Sequence, residues 1–455
     1  MAQQLPSAFI NSLQTAKGFD EEAFIKVHQS GEQVTSIRIN PRRKPSIVNT
    51  GPKIPWSACG YYLNERPSFT SDPLFHAGAY YVQEASSMFL EQALKQTVDL
   101  AQPVKILDLC AAPGGKSTLI HSLITKESLL VSNELIKTRV NVLAENITKW
   151  GAANVIVTNN DPKDFKRLDN YFDVIVVDAP CSGSGLFRKD VAAIAEWSLN
   201  NVQLCSQRQE RILADVFSSL KEKGVIIYST CSYSTAEDEA VCDWMIEELK
   251  VESVQLKVES SWGIVETESE IHKAKGYRFY PDKVKGEGFF IAVFKKNGEA
   301  VFNTQQKKEK SMAQQVSKNE IEVVSPWLKN AADFFYIKQN GEVIAVPLCM
   351  QNDLLLIQNA LYIKKAGVRM GAVIRNELIP HHELALSTVI DGAIPSVEVD
   401  LETALEYLRK QEIKNEPALR GWALITYLQM PLGWIKILPN RINNYYPKEW
   451  RILNK

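Results

Sequence analysis

Two cysteines stand where a buried strand gives way to a loop. In the stretch from Phe172 to Gly185, FDVIVVDAPCSGSG, the β-branched run Val174 to Val177 reads as a strand covered on both faces of a parallel sheet. Asp178, Pro180 and Cys181 follow at its end, and Ser182-Gly183-Ser184-Gly185 forms a loop with little side-chain bulk, open to a close approach by a ligand. Val225 to Ser229, VIIYS, repeats the arrangement and delivers Thr230, Cys231 and Ser232. A single cysteine in such a place is most often a small buried hydrophobe. Two thiols and a carboxylate at strand ends, where open α/β sheets bind their ligands, are equipment for nucleophilic catalysis.

A third piece is Leu107 to Lys116, LDLCAAPGGK, a strand that enters a small-residue loop and then a helix opening at Lys116 or Ser117. Its backbone, from Cys110, Ala111, Ala112 and Pro113 through Gly114, Gly115 and Lys116, is shaped to cradle a ligand, and the helix N-terminus favours a carboxylate or phosphate. Gly115-Lys116-Ser117 imitates the end of a P-loop, but the first glycine of that motif falls on Cys110, and no GxGxxG is present. Glu134, after the next strand, is placed to bond ribose hydroxyls, and Asp161, after the third, to meet an adenine amino group. Ordered acids without a phosphate loop fit an adenosine such as that of S-adenosylmethionine.

These residues need an alternating scaffold. Apolar runs at Val104 to Leu109, Leu129 to Ser132, Val155 to Thr158, Val174 to Val177 and Val225 to Ser229 alternate with helical stretches near 117–124, 136–150, 200–222 and 236–249. This implies βαβ units and a doubly wound α/β sheet. Gly288 to Phe294, GFFIAVF, reads as a late strand added antiparallel at the sheet edge. Residues 1–97 read as a small α+β domain, 98–297 as the core and the Lys/Gln/Glu-rich 298–322 as a linker. A β-rich remainder divides into 323–400 and 401–455.

Composition narrows the partners. A net charge of −1 gives no general attraction to polyanions, so RNA binding must come from local patches. The seven cysteines are scattered without a CxxC pair, which excludes a zinc cage and a disulfide framework and predicts reduced thiols, a cytoplasmic protein and no metal. No apolar run approaches the roughly 18 residues of a membrane span. Arg38, Arg42, Arg43 and Lys44 read as a solvated charged turn more than as a phosphate contact. From 431 to 455, Lys436, Arg441, Lys448, Arg451 and Lys455 interleave with Trp434, Tyr445, Tyr446 and Trp450, the pattern of an RNA platform. Trp422 and Trp434 read as core, and His381 and His382 as structural.

With these pieces placed, the chain resembles the Nol1/Nop2/Sun family of RNA 5-methylcytosine methyltransferases, through DLCAAPGGK (108–116), VDAPCSGSG (177–185) and STCSYS (229–234). Within it the chain is similar to the RsmF-like bacterial branch, through FRKD (187–190), EWS (196–198), RFYPDKVKGEGFFIA (278–292), PHHELAL (380–386) and the ending PLGWIK…NNYYPKEWRI. Val191 stands where proline is usual, and Ser232-Tyr233-Ser234 replaces the more common Thr-Leu-Asn. The resemblance implies a Rossmann-like class I methyltransferase core, a PUA-like C-terminal domain, and S-adenosylmethionine as methyl donor to C5 of a cytosine in 16S ribosomal RNA. A monomer is expected to act on the RNA, naked or in the small subunit.

The resemblance also assigns attack on C6 to Cys231, product release to Cys181 and base contact to Asp178; the residues alone do not rank the two thiols. To donate to N3 of the base Asp178 has to be protonated, which burial favours, and Lys116 or Arg188 is expected to help ionise the nucleophile. Arg139, Gln83 and Glu84 match family positions. The sulfurs are expected to converge on opposite edges of a flipped base. Transfer RNA as substrate, or a non-catalytic assembly factor, are the alternatives.

Overall fold

The computed structural model of the chain describes residues 5–43, 50–298, 314–413 and 419–453. Three short antiparallel strands, β1 (Ser36–Ile39), β2 (Gly60–Tyr62) and β3 (Tyr80–Val82), form an N-terminal sheet in the order β2-β1-β3. The helices Ser7–Leu13 and Glu21–Gln29 precede it.

The predicted alternation becomes one central sheet. Its parallel part comprises β4 (Lys105–Asp108), β5 (Leu129–Asn133), β6 (Val155–Thr158), β7 (Phe172–Asp178) and β8 (Leu220–Thr230) in the order β8-β7-β4-β5-β6. Val174, Ile175, Val176 and Val177 of β7 are at most 1% exposed because their alternating side chains enter two separate apolar layers. At about 1.5–3 kcal/mol each, an upper estimate, that burial fixes the register that carries Asp178 to the sheet's carboxyl end. The strand order reverses at β4, so the loops after β4 and β7 diverge around a crevice.

Several boundaries differ from expectation. The helix expected over 200–222 is Leu199–Val216, and β8 already begins at Leu220. Its charged first half reads poorly as strand, but ion pairs hold it there: Lys221 with Asp173 at 2.6 Å, and Glu222 with Lys296 at 2.9 Å. After β9 (Val251–Val254), β10 (Val265–Glu268) and β11 (Lys275–Phe279), the GFFIAVF strand is β12 (Phe289–Lys296). It is antiparallel to β8 as expected, but interior, since β11 and β9 pair along its other side.

Most of the expected linker, 299–313, lies outside the described residues. Its end is a helix, Lys318–Val324, because Ser317 and Glu320 form a reciprocal capping box. A further sheet has the order β13-β14-β15-β17-β18, with β13 (Gln314–Gln315) ahead of that helix and β14 (Phe334–Gln339), β15 (Glu342–Pro347), β17 (Val368–Ile374) and β18 (Glu377–Pro380) after it. The strand between them, β16 (Ile363–Ala366), leaves this sheet and pairs antiparallel with β6. Region 323–400 therefore contributes one strand to the core sheet. The C-terminal sheet, β19 (Ser396–Glu398), β20 (Gly421–Tyr427), β21 (Met430–Leu438) and β22 (Arg441–Asn444), likewise takes in residues ahead of 401.

The basic cluster is not a solvated turn. Arg38 is 1% exposed; it donates to Gln83 Oε1 at 2.8 Å and Thr118 Oγ1 at 2.6 Å and stacks over Trp150. Arg42 donates to the Ile124 carbonyl, and Arg43 to that of Leu386. These guanidinium groups join the N-terminal sheet to the core and to the C-terminal half. Lys44 lies outside the described residues. Trp434 and Tyr446 are buried, whereas Trp422 is half-buried beneath Lys436, with Tyr445 packed edge-on beside it. Of the predicted platform, Tyr445 is the aromatic left substantially in solvent, at 39%, beside exposed Arg441, Lys448 and Arg451, and Lys455 lies outside the described residues. Among the described residues no helix is long and apolar enough to cross a membrane.

Candidate active site

Parallel pairing of β7 with β8 sets Asp178 opposite Ser229, so the two chains leave the sheet side by side. Cys181 and Cys231 are thereby brought into contact, with their sulfurs 2.8 Å apart. The loops lock together beyond them: Gly185 N donates to the Cys231 carbonyl at 2.7 Å, and Tyr233 N to Ser184 Oγ at 3.0 Å. A Cβ on Gly185 would stand 2.4 Å from that carbonyl, so glycine is needed here for loop packing as well as for ligand access. The expectation of opposite edges is corrected, because sulfurs this close leave no space for a base between them. The bond to Cys231, and then burial, push the Cys181 thiol well above its ordinary range, so Cys181 holds its proton.

The sequence reading missed the group beneath both loops. Glu237 is fully buried; its Oε1 accepts from Ser182 N at 2.8 Å and from Gln209 Nε2 at 3.2 Å, and its Oε2 from the hydroxyls of Ser182 and Ser232 at 2.5 and 2.6 Å. One carboxylate thus ties the residue after Cys181 to the residue after Cys231. The signal was a serine following each cysteine, two donors needing one acceptor, a few positions ahead of the acidic run Glu237-Asp238-Glu239.

Asp178 is not enclosed as expected. Its side chain is 35% exposed, Lys116 Nζ pairs with it at 2.7 Å, and Ser229 Oγ donates to it at 2.9 Å. Lys116 is thereby engaged with a carboxylate, and Arg188 is buried against Glu287 at 3.3 Å, so neither is paired with a thiol. Cys110–Pro113, Gly115, Lys116 and Asp178 line a cleft of about 200 Å³. Its opposite wall is Tyr81 to Glu84 and Ser87, which places Gln83 and Glu84 at the site. Gly114 has φ +116° and caps the helix Gly115–Leu123, a conformation that favours glycine. Glu134 is buried, accepting from Ile136 N at 2.9 Å with Arg139 at 3.6 Å, while Arg139 also donates to the Ala112 carbonyl at 2.7 Å. Arg139 thus ties Glu134 to the loop Cys110–Lys116. Asp161 follows β6 as expected, and its carboxylate caps the next turn through Lys163 N.

Asp108 ends β4 fully buried, with one oxygen accepting from Ser117 at 2.6 Å and the other without a partner among the described residues. Burial pushes its pKa up to about 7. The unfolded chain releases this proton near pH 4, so between about pH 4 and 7 the folded state binds more protons and loses stability as pH rises. Asp108→Asn is expected to melt above the unsubstituted chain at pH 8, the gap closing toward pH 4. A difference independent of pH in thermal melts would refute this.

Comparison with known proteins follows the same outline. A family model described as 16S rRNA methyltransferase RsmB/F matches residues 95–295, one for the N-terminal domain of 16S rRNA methyltransferase RsmF matches 5–85, and one for the methyltransferase RsmF PUA domain matches 394–452. The ribosomal RNA small subunit methyltransferase F of Aeromonas salmonicida is 30% identical over 87% of this chain and 84% of its own length. Its namesake from Vibrio parahaemolyticus is 29% identical over 98% and 97%. Among solved structures, a methyltransferase homolog protein from Pyrococcus horikoshii superposes with a TM-score of 0.51 at 27% identity, covering 64% of this chain and all of that one. NSun6 from the same organism, at 19% identity and a TM-score of 0.53 over 65% of this chain and 99% of its own, shares the fold.

Proposed function

The chain belongs to the RsmB/F family of 16S rRNA methyltransferases, and on that premise we propose that it methylates C5 of a cytosine in small-subunit ribosomal RNA through a cysteine adduct. It is an S-adenosylmethionine-dependent enzyme. The observation that carries the C5 reading is the contact of Cys181 with Cys231 beside Asp178 and the cofactor loop. The residues fit the methyl donor: Ala111, Ala112 and Gly115 bring little side-chain bulk into the cleft, Glu134 suits the ribose, and the cleft opens beside Asp178. When bound, S-adenosylmethionine supplies an electrophilic methyl group.

C5 of cytosine is too weak a nucleophile unaided. Cys231 adds as thiolate to C6 and makes the ring an enamine whose C5 accepts the methyl group. Asp178 accepts a hydrogen bond from the cytosine amino group, and Lys116 beside it offsets the electron density that addition places on the ring. The bond that raises Cys181 is lost once Cys231 is joined to the base. Cys181 then gives up its proton to water, removes the C5 proton, and the Cys231–C6 bond breaks to restore the aromatic ring. We assign the N-terminal sheet and the C-terminal PUA-like sheet to RNA binding, and the activity to the cytoplasm. The C-terminal support is exposed Tyr445 packed edge-on against half-buried Trp422, which lies under Lys436.

Purified full chain with methyl-labelled S-adenosylmethionine and unmodified 16S RNA is expected to yield labelled 5-methylcytosine after nuclease digestion. Label appearing only in transfer RNA would overturn the ribosomal assignment. No transfer despite measured cofactor binding would make the chain a non-catalytic factor.

A further inference from the structure

We propose that Tyr362, delivered by β16 from the C-terminal half, forms the outer wall of the adenine end of the cofactor site. The inference rests on the S-adenosylmethionine reading above. β16 pairs with β6 so that Ile363 faces Thr158, which sets Tyr362 just past the carboxyl end of β6, level with the residues that lead to Asp161.

Two asparagines hold it there. Asn160 mimics a strand: its Oδ1 accepts from Tyr362 N at 2.9 Å and its Nδ2 donates to the Tyr362 carbonyl at 3.0 Å. Asn159 N donates to the same carbonyl at 3.2 Å, while its side chain donates to the carbonyls of Glu134 at 2.6 Å and Leu135 at 2.9 Å. A single residue therefore connects the backbone of Tyr362 to that of the ribose acid, although the two lie far apart in sequence.

Leu361 and Ile363 both pack into the apolar layer on one side of the sheet, so strand alternation turns Tyr362 to the other side. That is the side of the helix Lys137–Trp150, which Leu135 and Ile136 lead into. These three large side chains are 64% (Tyr362), 54% (Leu135) and 49% (Ile136) exposed, on segments that Asn159 joins next to the buried Glu134. The occupant suited to them is planar, apolar on its faces and joined to a ribose, which describes the adenine of the cofactor. Aromatic stacking on a base is worth roughly tenfold in affinity.

Calorimetric titration of the full chain with S-adenosylmethionine tests this. Tyr362→Ala is expected to weaken binding about tenfold, and Tyr362→Phe to stay within about twofold of the unsubstituted chain because the ring remains. An unsubstituted chain that binds, with Tyr362→Ala binding equally well, would overturn the role of Tyr362 and leave the functional reading standing. The same holds if Tyr362→Ala raises only the KM for RNA. No binding by the unsubstituted chain would overturn both.

Discussion

Cys231→Ala is expected to transfer no methyl group to bound RNA, whereas Cys181→Ala is expected to stall with RNA attached to the protein. In the proposed mechanism the first substitution removes the sulfur that adds to C6, leaving C5 without activation, a loss on the order of 10⁴-fold or more. The second leaves addition and methylation intact but removes the base that takes the C5 proton. Neither substitution strains the fold, because both sulfurs sit at partly exposed loop positions beyond the strand ends. A denaturing gel resolves the outcomes: a slow, RNase-sensitive band with Cys181→Ala, and none with Cys231→Ala or the double variant. Full turnover by Cys231→Ala would sink the adduct mechanism, and an adduct appearing with Cys231→Ala instead would reverse the two roles.

The second large effect concerns stability. Arg278 on β11 is 1% exposed; it donates to Glu239 at 2.7 Å and to the Tyr233 carbonyl at 2.8 Å, and pairs with Asp238 at 3.0 Å. Asp238 in turn accepts from Thr230 at 2.6 Å, so the network fixes the residues on either side of Cys231. Burial works against a charged guanidinium here, but Glu239 and Asp238 outweigh it and hold it charged. Arg278→Met leaves two carboxylates buried without their cation, a cost of about 3–5 kcal/mol. Arg278→Lys recovers only part of this, because an ammonium cannot present the same planar fork. Hydrogen exchange on β8 and β12 is expected to accelerate, and the urea midpoint to fall by about 0.5–1 M. A loss under about 1 kcal/mol would show that the network contributes little.

The parallel core was legible because its strands are continuous apolar runs and its site residues sit next to them. Val174 to Val177 announces β7, and Asp178 and Cys181 follow by position. Cys110 to Lys116 could be read in the same way, since loop conformation there depends on local residue size. What escaped was long-range. Nothing near Arg38 shows that Thr118 and Gln83 will satisfy its guanidinium, so it read as a surface charge. Glu237 is one acid in an acidic run until the two serines are folded onto it. Lys221 and Glu222 look like a helix end until Asp173 and Lys296 arrive from other strands. The same limit hid β16, a short Lys-containing segment whose strand character comes from β6 alone.

That borrowed strand has a consequence for how the protein is made. Tyr362 joins a partner 202 residues upstream, and β16 covers the β6 margin of the sheet, so the catalytic half leaves the ribosome with that row of peptide groups open. It stays open until residue 366 has been translated. Truncated messages ending near residue 298 would therefore yield a core able to form its crevice yet prone to join its neighbours edge to edge.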